Sequence, residues 1–110
     1  MTGVWFSPIF NMVDFGYDIS NYIEIQNKYG TTADFDKLVK KCKLLGVKLI
    51  LDFVPNHTSD QHEWFKKSEL DDPYYKDFYI WRPAKINAET GEREPPNNWV
   101  SLFRFSAWML

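Results

Sequence analysis

The sequence contains few of the residues that mark disulfide scaffolds, nucleic-acid binders or membrane proteins. Its 110 residues include one cysteine, so no disulfide can form within the chain. The formal charge of −2 and the isoelectric point near 5.6 provide no overall basic face for nucleic acid. No run of about 18 apolar residues is present, so the sequence predicts no membrane-spanning helix. These absences favour a soluble globular chain that forms one domain or part of one.

The two ends of the sequence lack the features of a complete secreted protein. The opening MTGVWFSPIF has neither a basic start nor an apolar stretch followed by a small-residue cleavage site, so no signal peptide is predicted in this chain. The final SAWML has no helix cap or polar tail. We therefore expect the chain to be a fragment.

Aromatic residues are abundant, with five Trp, six Tyr and nine Phe making up 18% of the chain. The C–H face of a sugar ring can pack on an aromatic side chain, so such a composition occurs in sugar-binding proteins. A core rich in rings would have the same composition. From composition alone, we favour the core.

The pattern of the first half predicts a strand, a helix and a second strand. Residues 3–10 (GVWFSPIF) are predicted to end a strand, and a long loop is predicted to follow to about residue 30. Residues 31–46 have helical apolar spacing, with Cys42 expected in the core, and Thr31 and Asp34 suit a capping box. Residues 47–54 (VKLILDFV) are apolar enough for a parallel strand buried on both faces.

Polar side chains follow both predicted strands. The strands of a strand–helix–strand unit run parallel, so the loops that leave their C-terminal ends emerge at one edge of the sheet. Parallel α/β folds carry their chemistry at this edge. No glycine-rich phosphate loop follows either strand, which argues against nucleotide binding. The polar residues expected at this edge are Asp14, Tyr17, Asp18, Asp52, Asn56 and His57.

Four stretches together resemble a known family: SPIF…MVDFGYDISNY, YGTTADFDKLV, GVKLILDFVPNHTSDQHEWF and YYKDFYIWRPAK…GEREPPNNWVSLFRFSAW. They are similar to the α-glucosidase (maltase) branch of the α-amylase family of glycoside hydrolases, and most of all to insect-type maltases. The resemblance implies an α/β fold, part of a (β/α)8 TIM barrel. Residues 1–57 would supply part of the barrel, including its second and third strands, and residues 58–110 part of the small domain inserted after the third strand.

The resemblance also implies roles for individual residues. Asp14, Tyr17 and His57 match family residues that line the pocket for a terminal glucose, although a strand-terminal histidine bonded only to backbone is the alternative for His57. Asp52 is equally compatible with a supporting role and with direct substrate contact. Asn56 is expected to fix the loop through side-chain hydrogen bonds. For Trp81, Trp99 and Trp108 we favour a place in the core of the inserted domain over a role as sugar-binding platforms.

The implied function is hydrolysis, with retention of configuration, of terminal α-linked glucose from maltose, sucrose or short oligosaccharides. The family's catalytic nucleophile and acid/base residue have no counterpart here, so this chain alone is expected to be inactive. No metal ligands or cofactor are predicted within it, because Asp60, His62 and Glu63 match no zinc spacing. The resemblance implies that a calcium ion could bind in the complete enzyme, at a loop outside this chain.

The partner implied by the resemblance is an oligosaccharide or disaccharide substrate, with no nucleic acid and with membrane association undecided. The complete protein is expected to be secreted or extracellular. A non-catalytic relative, the heavy subunit of an amino-acid transporter, is the alternative. Asp14, Tyr17 and His57 occurring together favour the enzyme.

Overall fold

The computed structural model describes residues 2–14, 16–102 and 104–109, and the chain forms two compact units, Met1–Tyr79 and Ile80–Leu110. Among these residues, the first unit contains two α-helices and four strands, and the second contains one pair of short strands. In chain order the elements are β1 (Gly3–Phe6), β2 (Phe10–Met12), β3 (Ile19–Ile25), α1 (Thr32–Leu44), β4 (Lys48–Leu51), α2 (Glu63–Glu69), β5 (Lys85–Ile86) and β6 (Arg93–Glu94), with 3₁₀ turns at Asn27–Tyr29 and Lys76–Phe78.

The predicted strand–helix–strand unit is confirmed. Strands β1 and β4 pair in parallel, from Gly3 opposite Lys48 to Phe6 opposite Leu51, and α1 connects them. The helix begins at the predicted capping box. The amide of Asp34 donates to Thr31 Oγ1 at 3.1 Å and the amide of Thr31 donates to Asp34 Oδ2 at 2.9 Å.

The expectation that β4 is buried on both faces is wrong for this chain. Exposed and half-buried residues alternate along β4, and Ile50 is 57% exposed. Among the described residues β4 pairs with β1 alone, and the face that carries Lys48 and Ile50 is exposed. Cys42 is likewise half-buried rather than fully in a core.

The prediction of a long loop over residues 10–30 is also wrong, since this segment forms the antiparallel pair β2 and β3. Their register is irregular, with Phe10 opposite Ile25 and Met12 opposite Ile19. Met12 and Ile19 are the buried apolar residues of the described chain, at 7% and 0% exposure. The irregular pairing explains why the alternation typical of a strand is weak in the sequence.

The second unit contains the predicted hairpin. Strands β5 and β6 pair antiparallel, and Asn87 Oδ1 accepts hydrogen bonds from the amides of Glu89 and Thr90 in the turn between them. The assignment of its tryptophans to a core is wrong for Trp99, which is 62% exposed and stacks on Trp108 at 5.8 Å between ring centroids. Trp81 is also exposed.

In the described ranges, neither helix has the length and apolar character needed to cross a membrane.

Candidate functional site

A tight turn after β2 carries two of the predicted sugar-binding residues. Asp18 closes this turn, because its Oδ2 accepts a hydrogen bond from the amide of Asp14 at 2.7 Å and its main-chain oxygen lies 3.4 Å from the amide nitrogen of Val13. Gly16 supplies the left-handed conformation that the turn needs, with φ at +82°. Asp14 and Tyr17 are exposed on this turn, so both side chains are accessible to a ligand.

The loop with Asn56 and His57 leaves the end of β4. The amide of Asp52 donates to the carbonyl of Phe6 at 3.1 Å, which extends the pairing one residue beyond the strand. Pro55 has no amide hydrogen and cannot continue a ladder, so the chain turns away there. Asp52 is half-buried at the strand end, whereas Asn56 and His57 are exposed on the loop.

The imidazole of His57 is held at both nitrogens. Its Nε2 lies 3.0 Å from the carbonyl oxygen of Tyr17, and its Nδ1 lies 3.4 Å from Asn56 Nδ2. A carbonyl can only accept, so Nε2 carries the hydrogen and Nδ1 is the acceptor in the neutral ring. The bond joins residues 40 positions apart and fixes the ring over the Asp14–Asp18 turn.

The predicted proximity of the two loops is therefore confirmed. A second bond supports it, since the amide of Ser59 donates to the carbonyl of Ile19 at 2.8 Å. The structure brings His57 together with Tyr17 and Asn56, and Asp14 shares the turn of Tyr17. Asp52 lies half-buried at the end of the neighbouring strand.

Tyr22 is a residue of this region that sequence analysis missed. Its hydroxyl lies 2.7 Å from the carbonyl oxygen of Val54 and 2.9 Å from that of His57. Burial raises the pKa of Tyr22, with a smaller contribution from Tyr79, so the hydroxyl stays protonated and donates. The signal that could have found it is the β-branched and aromatic run ISNYIEI, which is typical of a strand.

His62 begins helix α2 beside this loop. It is 5% exposed, and its Nδ1 accepts a hydrogen bond from the amide of Trp64 at 3.0 Å, so Nε2 carries the hydrogen. Burial lowers the pKa of His62, although the carboxylate of Glu63 partly opposes this effect. Among the residues that the structure describes, Nε2 has no hydrogen-bond partner and no three His, Cys, Asp or Glu side chains form a metal-binding group.

A separate apolar cavity of about 480 Å³ lies between β1, β3 and the start of α1. Its walls include Trp5, Ile9, Ile25, Phe35 and Leu38, and none of the predicted sugar-binding residues lines it. The polar residues of its lining include Thr31 and Asp34, whose side chains are engaged in the capping box of α1. The candidate site is therefore assigned to the two loops that carry Asp14, Tyr17 and His57.

Curated proteins that are similar to this chain include a maltase and an alpha-glucosidase. Maltase A1 of Drosophila melanogaster is 62% identical over 109 residues, which are 97% of this chain and 19% of that protein. The salivary alpha-glucosidase of Aedes aegypti is 59% identical over 110 residues, which are 98% of this chain and 19% of that protein. The chain thus spans about one fifth of the length of these relatives.

Solved structures match as well. The trehalose-6-phosphate hydrolase of Bacillus licheniformis has a TM-score of 0.85 and 43% identity over 99% of this chain and 19% of its own. A trehalulose synthase variant in complex with its substrate sucrose has a TM-score of 0.84 and 43% identity, with the same coverage.

The family model for the alpha-amylase catalytic domain matches residues 1–110. This match covers every strand and helix described above, including both loops that meet at His57. The chain therefore belongs to the α-amylase catalytic-domain family.

Proposed function

We propose that this chain is part of a retaining α-glucosidase and that Asp14, Tyr17 and His57 bind the terminal glucose of its substrate. The observation that carries the proposal is the bond from His57 Nε2 to the carbonyl of Tyr17, which joins the two loops into one polar surface. The maltase and α-glucosidase names of the relatives support the same activity.

The three side chains offer complementary chemistry for a sugar. The carboxylate of Asp14 can accept hydrogen bonds from hydroxyl groups, and the ring of Tyr17 can pack on a C–H face. The Nε2 hydrogen of His57 points at the carbonyl of Tyr17. A sugar hydroxyl must therefore share this hydrogen or replace the carbonyl as its acceptor.

The same proposal locates the chain within a (β/α)8 barrel. Strand β1 would be the second barrel strand, α1 the second helix and β4 the third strand, which accords with their parallel pairing. Residues 58–110 would begin the inserted domain. The compact units divide after Tyr79, so residues 58–79, with α2, pack on the barrel part of this chain.

Glycoside hydrolysis needs two carboxylates, and under this proposal both belong to parts of the enzyme outside this chain. One attacks the anomeric carbon to form a glycosyl-enzyme, and the other protonates the leaving oxygen and then activates water. Residues of this chain contribute binding and orientation, so the chain alone is expected to be inactive. We propose no cofactor for the residues within it, and a calcium ion would belong to another part of the enzyme.

We also propose that the complete protein is secreted and that it is an enzyme. Relatives named salivary alpha-glucosidases support secretion. The alternative, a non-catalytic transporter subunit, would not need a sugar pocket. The exposed Asp14 and Tyr17 beside His57 favour the enzyme over that alternative.

The test is maltose hydrolysis by the complete protein that contains this sequence. We expect Asp14→Ala to lower kcat/KM by roughly tenfold or more, because unpaired sugar hydroxyls lose binding in the transition state. The matched control is Asp36→Ala, an exposed aspartate of α1 remote from the turn, which should leave activity unchanged. A wild-type protein that releases no glucose from maltose or sucrose would contradict the proposal.

A further inference from the structure

Tyr22 lies in the middle of β3 and joins three parts of the first unit. Its hydroxyl reaches the loop after β4, and its ring contacts the start of α2. We propose that Tyr22 is a positioning residue for His57, which it holds in place through the main chain of the loop Val54–His57. This inference rests on the proposed sugar-binding role of His57.

The Tyr22 hydroxyl bonds to the loop at two carbonyl groups, those of Val54 and His57. A phenol has one hydrogen, so the carbonyls of Val54 and His57, at 2.7 and 2.9 Å, share one donor. Pro55 lies between them and has no amide hydrogen with which to hold the loop by a ladder bond. The shared hydrogen bond therefore holds the main chain of the loop against β3.

The ring of Tyr22 is fixed by other aromatic rings. Trp64 stacks on it with centroids 5.7 Å apart and an angle of 23°, and His62 lies at 5.6 Å and 41°. Phe53 approaches edge-on at 6.3 Å, and Phe10 contacts it at 6.4 Å. These contacts fix the position of the hydroxyl.

His57 is thus held at two points. Tyr22 binds its main-chain oxygen, and the carbonyl of Tyr17 accepts from its imidazole. The Asn56 amide near Nδ1 belongs to the same loop and moves with it. Removing the first point therefore leaves the bond to Tyr17 as the one anchor of the ring outside the loop, and the imidazole can then move with the loop. A displacement of about 1 Å can reduce the rate of an enzyme by up to roughly a hundredfold. Tyr22 would therefore affect catalysis without touching the sugar.

Tyr22→Phe in the complete protein tests this role, since the ring and its contacts remain and only the hydroxyl is lost. We expect kcat/KM for maltose to fall roughly tenfold, mainly through kcat, as orientation is lost. In a His57→Ala background the same change should have little further effect, since no imidazole remains to be positioned. Tyr29→Phe, an exposed tyrosine of the neighbouring 3₁₀ turn, is the matched control and should leave kcat/KM unchanged.

A purely structural role predicts a different result. It would lower kcat/KM equally in both backgrounds and reduce the melting temperature, and either equal losses or no loss would overturn the proposal.

A second measurement does not depend on activity. In histidine-labelled complete protein, the imidazole signal of His57 is assigned by its disappearance in His57→Ala. This signal should indicate the Nε2–H form in the wild type. In Tyr22→Phe it should average between tautomers, because the moving loop weakens the bond from Nε2 to Tyr17. An unchanged signal would also overturn the proposal. If the wild type lacks maltase activity, the proposed function fails, but this signal still decides the role of Tyr22.

Discussion

At the scale of single residues, His57 illustrates what the sequence can and cannot predict. Its place at the end of a parallel strand predicted proximity to the Asp14–Asp18 turn, because such loops share an edge. The tautomer depends on a carbonyl 40 residues away, so no local pattern could have indicated it. The contribution of Tyr22 was missed for the same reason, since its bonds span more than 30 residues.

His57→Ala is predicted to act mainly on kcat in the complete enzyme. If the imidazole donates to a hydroxyl as positive charge develops on the sugar, its loss should cost about 2–4 kcal/mol of transition-state stabilisation, as for other preorganised donors. Steady-state kinetics on maltose, with melting temperature as control, measures this. An unchanged kcat with a normal melting temperature would leave His57 as a loop residue bonded only to backbone.

At the scale of elements, the helix that local interactions define was predicted from the sequence, and an irregular pair of strands was missed. Helix α1 was predicted because its capping box, periodic apolar residues and terminal Gly46 are all local signals. The pair β2 and β3 was missed because an irregular register and a turn of polar residues interrupt the alternation. The end of the second strand was placed too late, since the prediction runs to Val54 and β4 ends at Leu51. Pro55 interrupts the chain only after the pairing has already stopped.

Helix α2 is predicted to lose stability as the pH falls. Its cap, His62 Nδ1, accepts from the amide of Trp64 only when the ring is neutral at this nitrogen. Burial lowers the pKa of His62 in the folded state below its usual 6.5, so the unfolded chain binds a proton first on acidification. The stabilisation is therefore complete above about pH 6.5 and is lost as the pH falls toward the lowered folded pKa.

Amide hydrogen exchange at Trp64, compared between pH 7.5 and 5 after correction for the intrinsic rate, measures this loss in the complete protein. His62→Asn is the informative variant, because an asparagine oxygen can still cap the helix but does not titrate near neutral pH. Protection at Trp64 should then vary less with pH than in the wild type. The same pH dependence in both proteins would show that His62 does not control the helix start.

At the scale of the whole molecule, the sheet formed by β1 and β4 is apolar on both faces. Val4 and Leu49 pair on the half-buried face, whereas Trp5 and Ile50 pair on the other, where they are 58% and 57% exposed. A sheet covered on both faces by helices has this composition. The prediction of a strand buried on both faces is wrong for this chain, which spans one fifth of the length of its relatives.

The isolated 110-residue chain is predicted to fold weakly and to associate. Its two-stranded parallel sheet has two unpaired edges, and exposed apolar residues such as Trp5, Ile50 and Phe53 have no cover within the described chain. Unpaired edges and apolar faces promote pairing between copies, and a small chain with little buried surface has little stability to oppose this. We expect purified chain to bind a hydrophobic dye and to sediment as mixed oligomers, with a broad thermal transition. A monomer with a sharp cooperative melt would mean that the aromatic cluster that extends from Tyr22 through Trp64 to Phe78 stabilises the chain without the rest of the barrel.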